Sequence, residues 1–173
     1  QCHNPAGRVD FPTLTRASYD TPGHHFHKPE SDGARCVSCH MPARTYMQID
    51  DRRDHSLRIP RPDLSEQTGA PDACGGCHEA GSNWAAEVLQ ARNVRRGPHY
   101  GEALAAGRRG EAAGESMLVR LATDTESPPL VRATALAMLA RYDSAESNRA
   151  LKVALTDVLP IVRFGALQGG QRW

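Results

Sequence analysis

The C-terminal part of the chain has the spacing of apolar residues that is typical of amphipathic helices. From about residue 98 onward Ala, Leu, Arg and Glu dominate. Leucines and alanines recur there at three- and four-residue spacing, so that they line one face of a helix. Residues 118–136 are similar to residues 151–167 after a short deletion in the turn. The matched pairs are Leu118 with Leu151, Asp124 with Asp157, Pro129 with Pro160, Val131 with Val162, Arg132 with Arg163 and Leu136 with Leu167.

This internal repeat predicts helix pairs that stack on one another over residues 98–173. Proline suits the first turn of a helix, and a helix pair of this kind buries its apolar face only against a neighbouring pair. The order Asp, Pro, Val-Arg and Ala-Leu resembles the HEAT repeat, which implies a module of helical repeats. A plain helical bundle with chance similarity between its helices is the alternative.

The first part of the chain, residues 1–97, holds all five cysteines. We expect loops, short helices and turns here, such as the turn at "IPRPD". One longer helix is predicted over residues 83–94, with Ser82 as its N-cap. The whole chain is therefore predicted to be mainly α, with a loop-rich module over residues 1–97 followed by the α-helical, HEAT-like repeats of residues 98–173.

Composition and charge narrow the classes of function. The chain has 173 residues, enough for one domain or two small ones. Its formal net charge is only +1, so we expect no nucleic-acid partner. It has no apolar run of about eighteen residues, the length that a membrane helix needs, so we expect no membrane span. Because the chain begins with "QCH", inside what looks like a motif, we expect it to be a fragment of a longer protein.

Every cysteine lies in a recurrent pattern of cysteine and histidine. Two C-x-x-C-H motifs are complete, and "QCH" looks like the end of a third. The residues are Cys36, Cys39 and His40, then Cys74, Cys77 and His78, and at the start Cys2 and His3. C-x-x-C-H is the attachment signature of c-type haem: each thiol adds to one vinyl group of the porphyrin, and the histidine becomes the proximal ligand of the iron. The pattern predicts about three covalently attached haem c groups.

Zinc, redox and disulfide chemistry are the alternatives for these cysteines. A zinc site could use the four cysteines of the complete motifs, but the gap between the pairs is longer than in zinc ribbons. Zinc also gives no reason for a histidine directly after each second cysteine. A thioredoxin-like C-x-x-C needs a βαβ context that is not visible, and disulfides would leave Cys2 unpaired.

Five further histidines are candidates for the opposite, distal face of the haems. They are His24, His25, His27, His55 and His99. The first three stand in "HHFH", within a Pro/Gly-rich loop just before a haem motif, and His55 follows Asp54, which could fix its tautomer. This supply of histidine favours bis-histidine ligation, and therefore lower potentials than methionine–histidine ligation gives.

Arginine supplies almost all of the positive charge and is concentrated between the two complete motifs. Arg52, Arg53 and Arg58 are the candidates for binding haem propionates, with Arg44 and Arg61 close by in sequence. Partly buried carboxylates need such partners, and a guanidinium can bind a carboxylate through two hydrogen bonds. The alternative is a solvated basic surface.

The segment "CVSCHMPARTYMQIDDRRDHSLRIPRPDLS", followed by "GAPDACGGCH" and "NWAAEVL", resembles the multihaem cytochromes c with doubled C-x-x-C-H motifs and a C-terminal helical-repeat domain. These are grouped with the nitrite reductase-like cytochromes. The resemblance implies a "C-A-Q-C-H" motif where this chain begins, further haem motifs upstream, and axial-ligand roles for the histidines of "HHFH" and for His55.

The sequence therefore favours electron transfer between redox partner proteins over catalysis. One alternative is a part of a multihaem reductase of nitrite or another nitrogen or sulfur oxide, whose catalytic haem lies upstream. A second is a zinc-binding helical-repeat scaffold. Covalent haem is attached after export, so we expect a periplasmic or extracellular location. The helical repeats are a possible docking surface for a protein partner.

Overall fold

The chain is mainly helical, as the sequence predicts. The computed structural model describes residues 17–94 and 96–171. Helices account for 54% of these described residues and strands for 5%. The described residues form two compact units, one with residues 17–62 and Asp72–Gly81, the other with Asp63–Pro71 and the residues from Ser82 onward. This division lies earlier in the chain than the module boundary at residues 97 and 98 that the change in composition suggests.

The first unit contains short elements joined by turns. Helix α1 spans Pro22–His25, a 3₁₀ turn spans Asp32–Ala34, and helix α2 spans Cys36–His40. Strands β1, Ala43–Tyr46, and β2, Asp50–Arg53, then form an antiparallel hairpin in which Ala43 pairs with Arg53. All residues of both strands are exposed. The histidine-rich loop, the first haem motif and the hairpin therefore follow one another within one small unit.

The sequence does not predict this hairpin. Thr45 and Tyr46 suit a strand, but β2 begins with two aspartates, a residue type depleted in strands, and the turn contains no glycine. Met47 and Gln48 have φ values of 51° and 61°, which is the left-handed geometry that matches the twist of a hairpin. The backbone N–H of Ile49 donates to the carbonyl of Tyr46 across 3.0 Å and closes the turn.

The second unit consists of helices. They are α3 (Pro62–Thr68), α4 (Gly81–Ala91), α5 (Tyr100–Arg109), α6 (Gly114–Thr123), α7 (Pro129–Met138), α8 (Ala145–Ala154) and α9 (Pro160–Gly169). The first residues of α3 and α4, Pro62 and Gly81, belong to the first unit. Helix α4 is the predicted helix, but Ser82 lies inside it, not at its N-cap. It ends early because Asn93 adopts a left-handed conformation, φ 59°, and the N–H of Val94 donates to the carbonyl of Leu89.

Leucines of the repeated segments form the core of the second unit. Leu118 and its match Leu151 are fully buried, and so is Val162. Pro129 and Pro160 each begin a helix, the position where proline costs no hydrogen bond. Helices α7 and α9 pack closely, because a Cβ added to Gly165 would lie only 2.6 Å from the Cα of Ala133.

A buried ion pair joins the two copies of the repeat. The guanidinium of Arg132 lies 2.6 Å from a carboxylate oxygen of Asp157. Its Nε also donates to the carbonyl of Ala122 across 3.1 Å. Arg132 therefore connects the end of α6 with the loop before α9.

Within the described parts of the chain, no helix is both long enough and apolar enough to cross a bilayer.

Candidate haem-binding site

The first complete motif folds as a single helix. In α2 the thiols of Cys36 and Cys39 lie three residues apart, so they project from the same face of the helix. His40 follows as the last residue, and the N–H of Met41 donates to the carbonyl of Val37 across 3.0 Å. One helical turn therefore presents two thiols and an imidazole to the same side, as attachment to two vinyl groups under a proximal histidine requires.

The second complete motif adopts a comparable turn. The backbone N–H groups of Cys77 and His78 donate to the carbonyl of Cys74 across 3.0 and 2.9 Å. A carboxylate oxygen of Asp72 accepts from the N–H groups of Cys74 and Gly75 across 2.6 and 2.8 Å and caps the turn. This role of Asp72 is not among the sequence predictions, although an Asp two residues before a turn is a recognisable signal.

His40 has the tautomer that a metal-binding imidazole needs. Its Nδ1 lies 2.8 Å from the backbone carbonyl of Arg58. Because a carbonyl can only accept, Nδ1 carries the proton and the lone pair lies on Nε2. A backbone carbonyl holding Nδ1–H is the usual support of a histidine ligand.

A second imidazole, that of His24, lies near the ring of His40. The ring centroids of His24 and His40 lie 6.2 Å apart, and their planes differ by only 5°. Two imidazoles that share a metal at about 2.0–2.1 Å have centroids about 6.3 Å apart, since Nε2 lies about 1.1 Å from its ring centre. His24 also packs edge-on against Tyr19, at a centroid distance of 4.9 Å. The separation of His24 and His40 thus fits an iron between them.

A second imidazole also lies near the histidine of the second motif. The centroids of His27 and His78 lie 5.9 Å apart, with 38° between the ring planes. Nδ1 of His27 donates to the backbone carbonyl of His25 in a short hydrogen bond, so the lone pair of His27 again lies on Nε2. One loop therefore supplies a histidine to each of the two motifs.

His25 supports this loop. Its Nδ1 accepts from the backbone N–H of His27 across 3.2 Å, so the proton of the neutral ring lies on Nε2. Its ring centroid is 6.4 Å from that of His27. In this arrangement His25 holds the backbone and the ring of His27, while His24 and His27 lie near the histidines of the two motifs.

His55 and His99 are not members of these two pairs. His55 is exposed just after β2, and its Nδ1 donates to the carbonyl of Arg53 across 2.8 Å, which leaves its lone pair on Nε2. His99 lies in the second unit as the N-cap of α5. Its Nδ1 accepts from the N–H of Gly101 across 3.0 Å, while Glu102 accepts from the N–H of His99. This capping box places the proton of His99 on Nε2, the atom that would bind iron.

The three candidate arginines have partners within the first unit. Arg52 pairs with Asp50 at 3.2 Å and lies over the ring of Tyr46. Arg58 pairs with Asp54 at 3.3 Å.

Arg53 has a role that the sequence does not predict. It donates to the carbonyls of Val37 and Met41 at the end of α2, across 3.2 and 3.0 Å. These bonds connect the hairpin to the helix that carries the first motif.

The two motifs lie close enough for their thiols to affect one another. Burial, followed by the negative charge of Cys77 and then of Cys36, raises the pKa of the Cys39 thiol. Burial and the carboxylate of Asp72, with a smaller contribution from Cys39, raise the pKa of Cys74 to about 11. Both shifts show that the free thiols are partly buried and that the two motifs are close neighbours within this unit.

The described cysteines do not assemble into a zinc site. Cys36, Cys39, Cys74 and Cys77 are free thiols. Within residues 17–94 and 96–171, no three or more His, Cys, Asp or Glu side chains are grouped so that they could hold a metal ion. A structural zinc needs four such ligands. A haem iron takes only two from the protein, so the lack of a larger group does not bear on the haem prediction.

Cys2 and His3, the predicted remainder of a third motif, lie outside the described residues.

Comparisons with family models, with curated proteins and with solved structures found no match to this chain.

Proposed function

We propose that this chain is a multihaem c-type cytochrome module that transfers electrons between redox partner proteins. The observation that carries the proposal is the pair of neighbouring imidazoles at each complete motif, His24 with His40 and His27 with His78. Each pair joins a C-x-x-C-H histidine to a histidine of the "HHFH" loop, at the separation that two imidazoles have across an iron.

Each residue then has a definite role. Cys36 and Cys39 attach one haem, and Cys74 and Cys77 attach another. His40 and His78 are the proximal ligands, with Nδ1 of His40 fixed by the carbonyl of Arg58. The bound haem supplies a one-electron Fe(III)/Fe(II) couple, and the protein sets its potential through these ligands and through its surroundings.

Exposed apolar side chains beside the first motif support this assignment. Leu57 and Ile59 flank Arg58, whose carbonyl orients His40, and they are 57% and 61% exposed. Neighbouring apolar side chains that are exposed in this way indicate a binding surface for another apolar group. A porphyrin attached at Cys36 and Cys39 provides apolar area at this position.

With His24 and His27 as distal ligands, histidine would fill both axial positions of each of these two haems. This favours electron transfer over catalysis, because a catalytic iron needs an open position for its substrate. A multihaem reductase of nitrite or another nitrogen or sulfur oxide, with its catalytic haem upstream, is the second candidate. Cys2 and His3 would hold a third haem, and the attachment chemistry places the protein in the periplasm or outside the cell.

A pyridine haemochrome assay on the chain, produced with a c-type haem maturation system, tests this proposal. We expect at least two covalently bound haems per chain, and one fewer when Cys36 and Cys39 are both replaced by serine. Replacing Ser38, one of the two residues between them, by alanine is the matched control and should leave the number unchanged. A chain that matures without haem and binds zinc instead would support the scaffold alternative.

A further inference from the structure

Gly33 makes room for the ring of His27. It lies in the 3₁₀ turn Asp32–Ala34, just before the first motif. A Cβ added at Gly33 would lie 2.6 Å from Cγ and 2.7 Å from Nε2 of His27, and closer still to Cδ2. Carbon atoms do not approach non-bonded ring atoms this closely. The imidazole therefore packs against the backbone of Gly33 in space that any other residue would fill.

The backbone conformation gives no separate reason for this glycine. Gly33 is absent from the positions with a left-handed φ, which include Gly69, Gly81 and Gly110. An alanine could adopt the same backbone without strain. The contact with His27 is the feature that only glycine allows.

His27 cannot simply turn away from a larger residue. Its Nδ1 donates to the carbonyl of His25, and its backbone N–H donates to Nδ1 of His25. The preceding residue, Phe26, has a left-handed φ of 61°, which already constrains the chain. Moving the ring by the distance that a methyl group requires would break these contacts or change the distance to His78.

We propose that Gly33 is a positioning residue for the distal ligand of the second haem, the one attached at Cys74 and Cys77. The inference rests on the proposed function. Gly33 is only three residues from Cys36 of the first motif, so a general disturbance of the backbone there would alter the first haem. If Gly33 acts through its contact with His27, a substitution at Gly33 should instead alter the axial ligation of the second haem.

The test is electron paramagnetic resonance of the ferric haem-loaded chain, with attached haem counted by mass spectrometry. In Gly33→Ala we expect one low-spin signal to be replaced by a high-spin signal, and it should be the signal that His27→Ala also removes. Gly23→Ala is the matched control, since its Cβ would meet only Oγ1 of Thr21, at 3.8 Å. It should keep every low-spin signal.

The double variant Gly33→Ala/His27→Ala separates the ring contact from other effects. If Gly33 acts only through the His27 ring, the double variant should give the spectrum of His27→Ala alone. Should Gly33→Ala fail to accumulate with haem, recovery of loaded protein in the double variant supports the contact, and no recovery overturns the inference.

Two other results would also overturn it: a Gly33→Ala spectrum with all low-spin signals intact, or the loss of the signal that His24→Ala removes. Failure of the proposed function looks different. In that case no haem is attached, or His27→Ala itself leaves the spectrum unchanged.

Discussion

At the scale of single residues, the position of the ring proton separates the candidate ligands. Nδ1 of His27, His40 and His55 faces a backbone carbonyl, which leaves the lone pair on Nε2. Nδ1 of His25 and His99 accepts from a backbone N–H, so their Nε2 carries the proton. The sequence shows which residues are histidines, but the tautomer depends on backbone groups that only the fold brings near.

His55 has a suitable tautomer but is not a member of either imidazole pair, His24 with His40 or His27 with His78. We therefore expect His55→Ala to leave unchanged the two low-spin signals that His24→Ala and His27→Ala identify. Electron paramagnetic resonance of the three single variants makes this comparison. If His55→Ala removed either of the two signals, the pairing of the histidines would be wrong; loss of a separate signal would assign His55 to a further haem.

At the scale of elements, the Arg132–Asp157 ion pair is the polar contact that joins the two copies of the repeat. Arg132 is 7% exposed, and its removal takes away the charged partner of Asp157 that lies within 4 Å, while the Leu159 N–H remains hydrogen-bonded to the carboxylate. We expect Arg132→Met to lower the free energy of unfolding by about 3 kcal/mol. Urea unfolding followed by far-ultraviolet circular dichroism would measure the loss.

The matched control for this variant is Arg163, the repeat equivalent of Arg132. Its guanidinium donates to the backbone carbonyls of Asp157 and Val158 across 2.8 and 3.2 Å. Arg163→Met should therefore cost only about 1 kcal/mol. An equal decrease in the free energy of unfolding in the two variants would show that the Arg132–Asp157 ion pair stabilises the fold no more than the hydrogen bonds of Arg163 do.

The free energy of unfolding of the helical unit should also depend on pH, through the ionisation of Asp157. The backbone N–H of Leu159, together with Arg132, holds the pKa of Asp157 below its ordinary value, although burial acts in the opposite direction. A carboxyl whose pKa is lower in the folded state stabilises the fold above its unfolded pKa of about 3.9, and this stabilisation is lost as the pH falls further.

Unfolding in urea at several values between pH 2 and pH 7 would show this dependence. We expect the free energy of unfolding to fall more steeply below about pH 4 in the native chain than in Asp157→Asn. The same slope in both proteins would contradict the role of Asp157. Glu115, whose pKa Ser144 and Ser147 lower by hydrogen bonding, contributes in the same direction and is unchanged by the substitution.

Some of these elements can be predicted from the sequence alone and others cannot. Periodic leucines and the two matched prolines suffice to predict the helices of residues 114–169. The hairpin is not predictable, because its stability depends on Arg53 reaching the carbonyls of Val37 and Met41 at the end of α2. The pairing of the histidines cannot be predicted from the sequence for the same reason. It depends on contacts between residues that are distant in the chain, such as the hydrogen bond of His40 with the carbonyl of Arg58.

At the scale of the whole molecule, two units with different sources of stability share one chain. The helical unit has a core of buried leucine and alanine. In the first unit, Ala34 and Pro62 are the buried apolar residues among those that the structure describes, so the haems would supply the apolar contacts there. The exposed Ile49, Leu57 and Ile59 are consistent with such a source of stability.

The central claim is that His24 with His40 and His27 with His78 are the axial ligand pairs of two haems. Low-temperature electron paramagnetic resonance of the ferric, haem-loaded chain tests it most directly, with His24→Ala and His27→Ala measured beside the unchanged protein. We expect low-spin signals in the unchanged chain, a different one of which turns high-spin in each variant. Identical spectra in all three proteins, or the same signal lost in both variants, would contradict the claim.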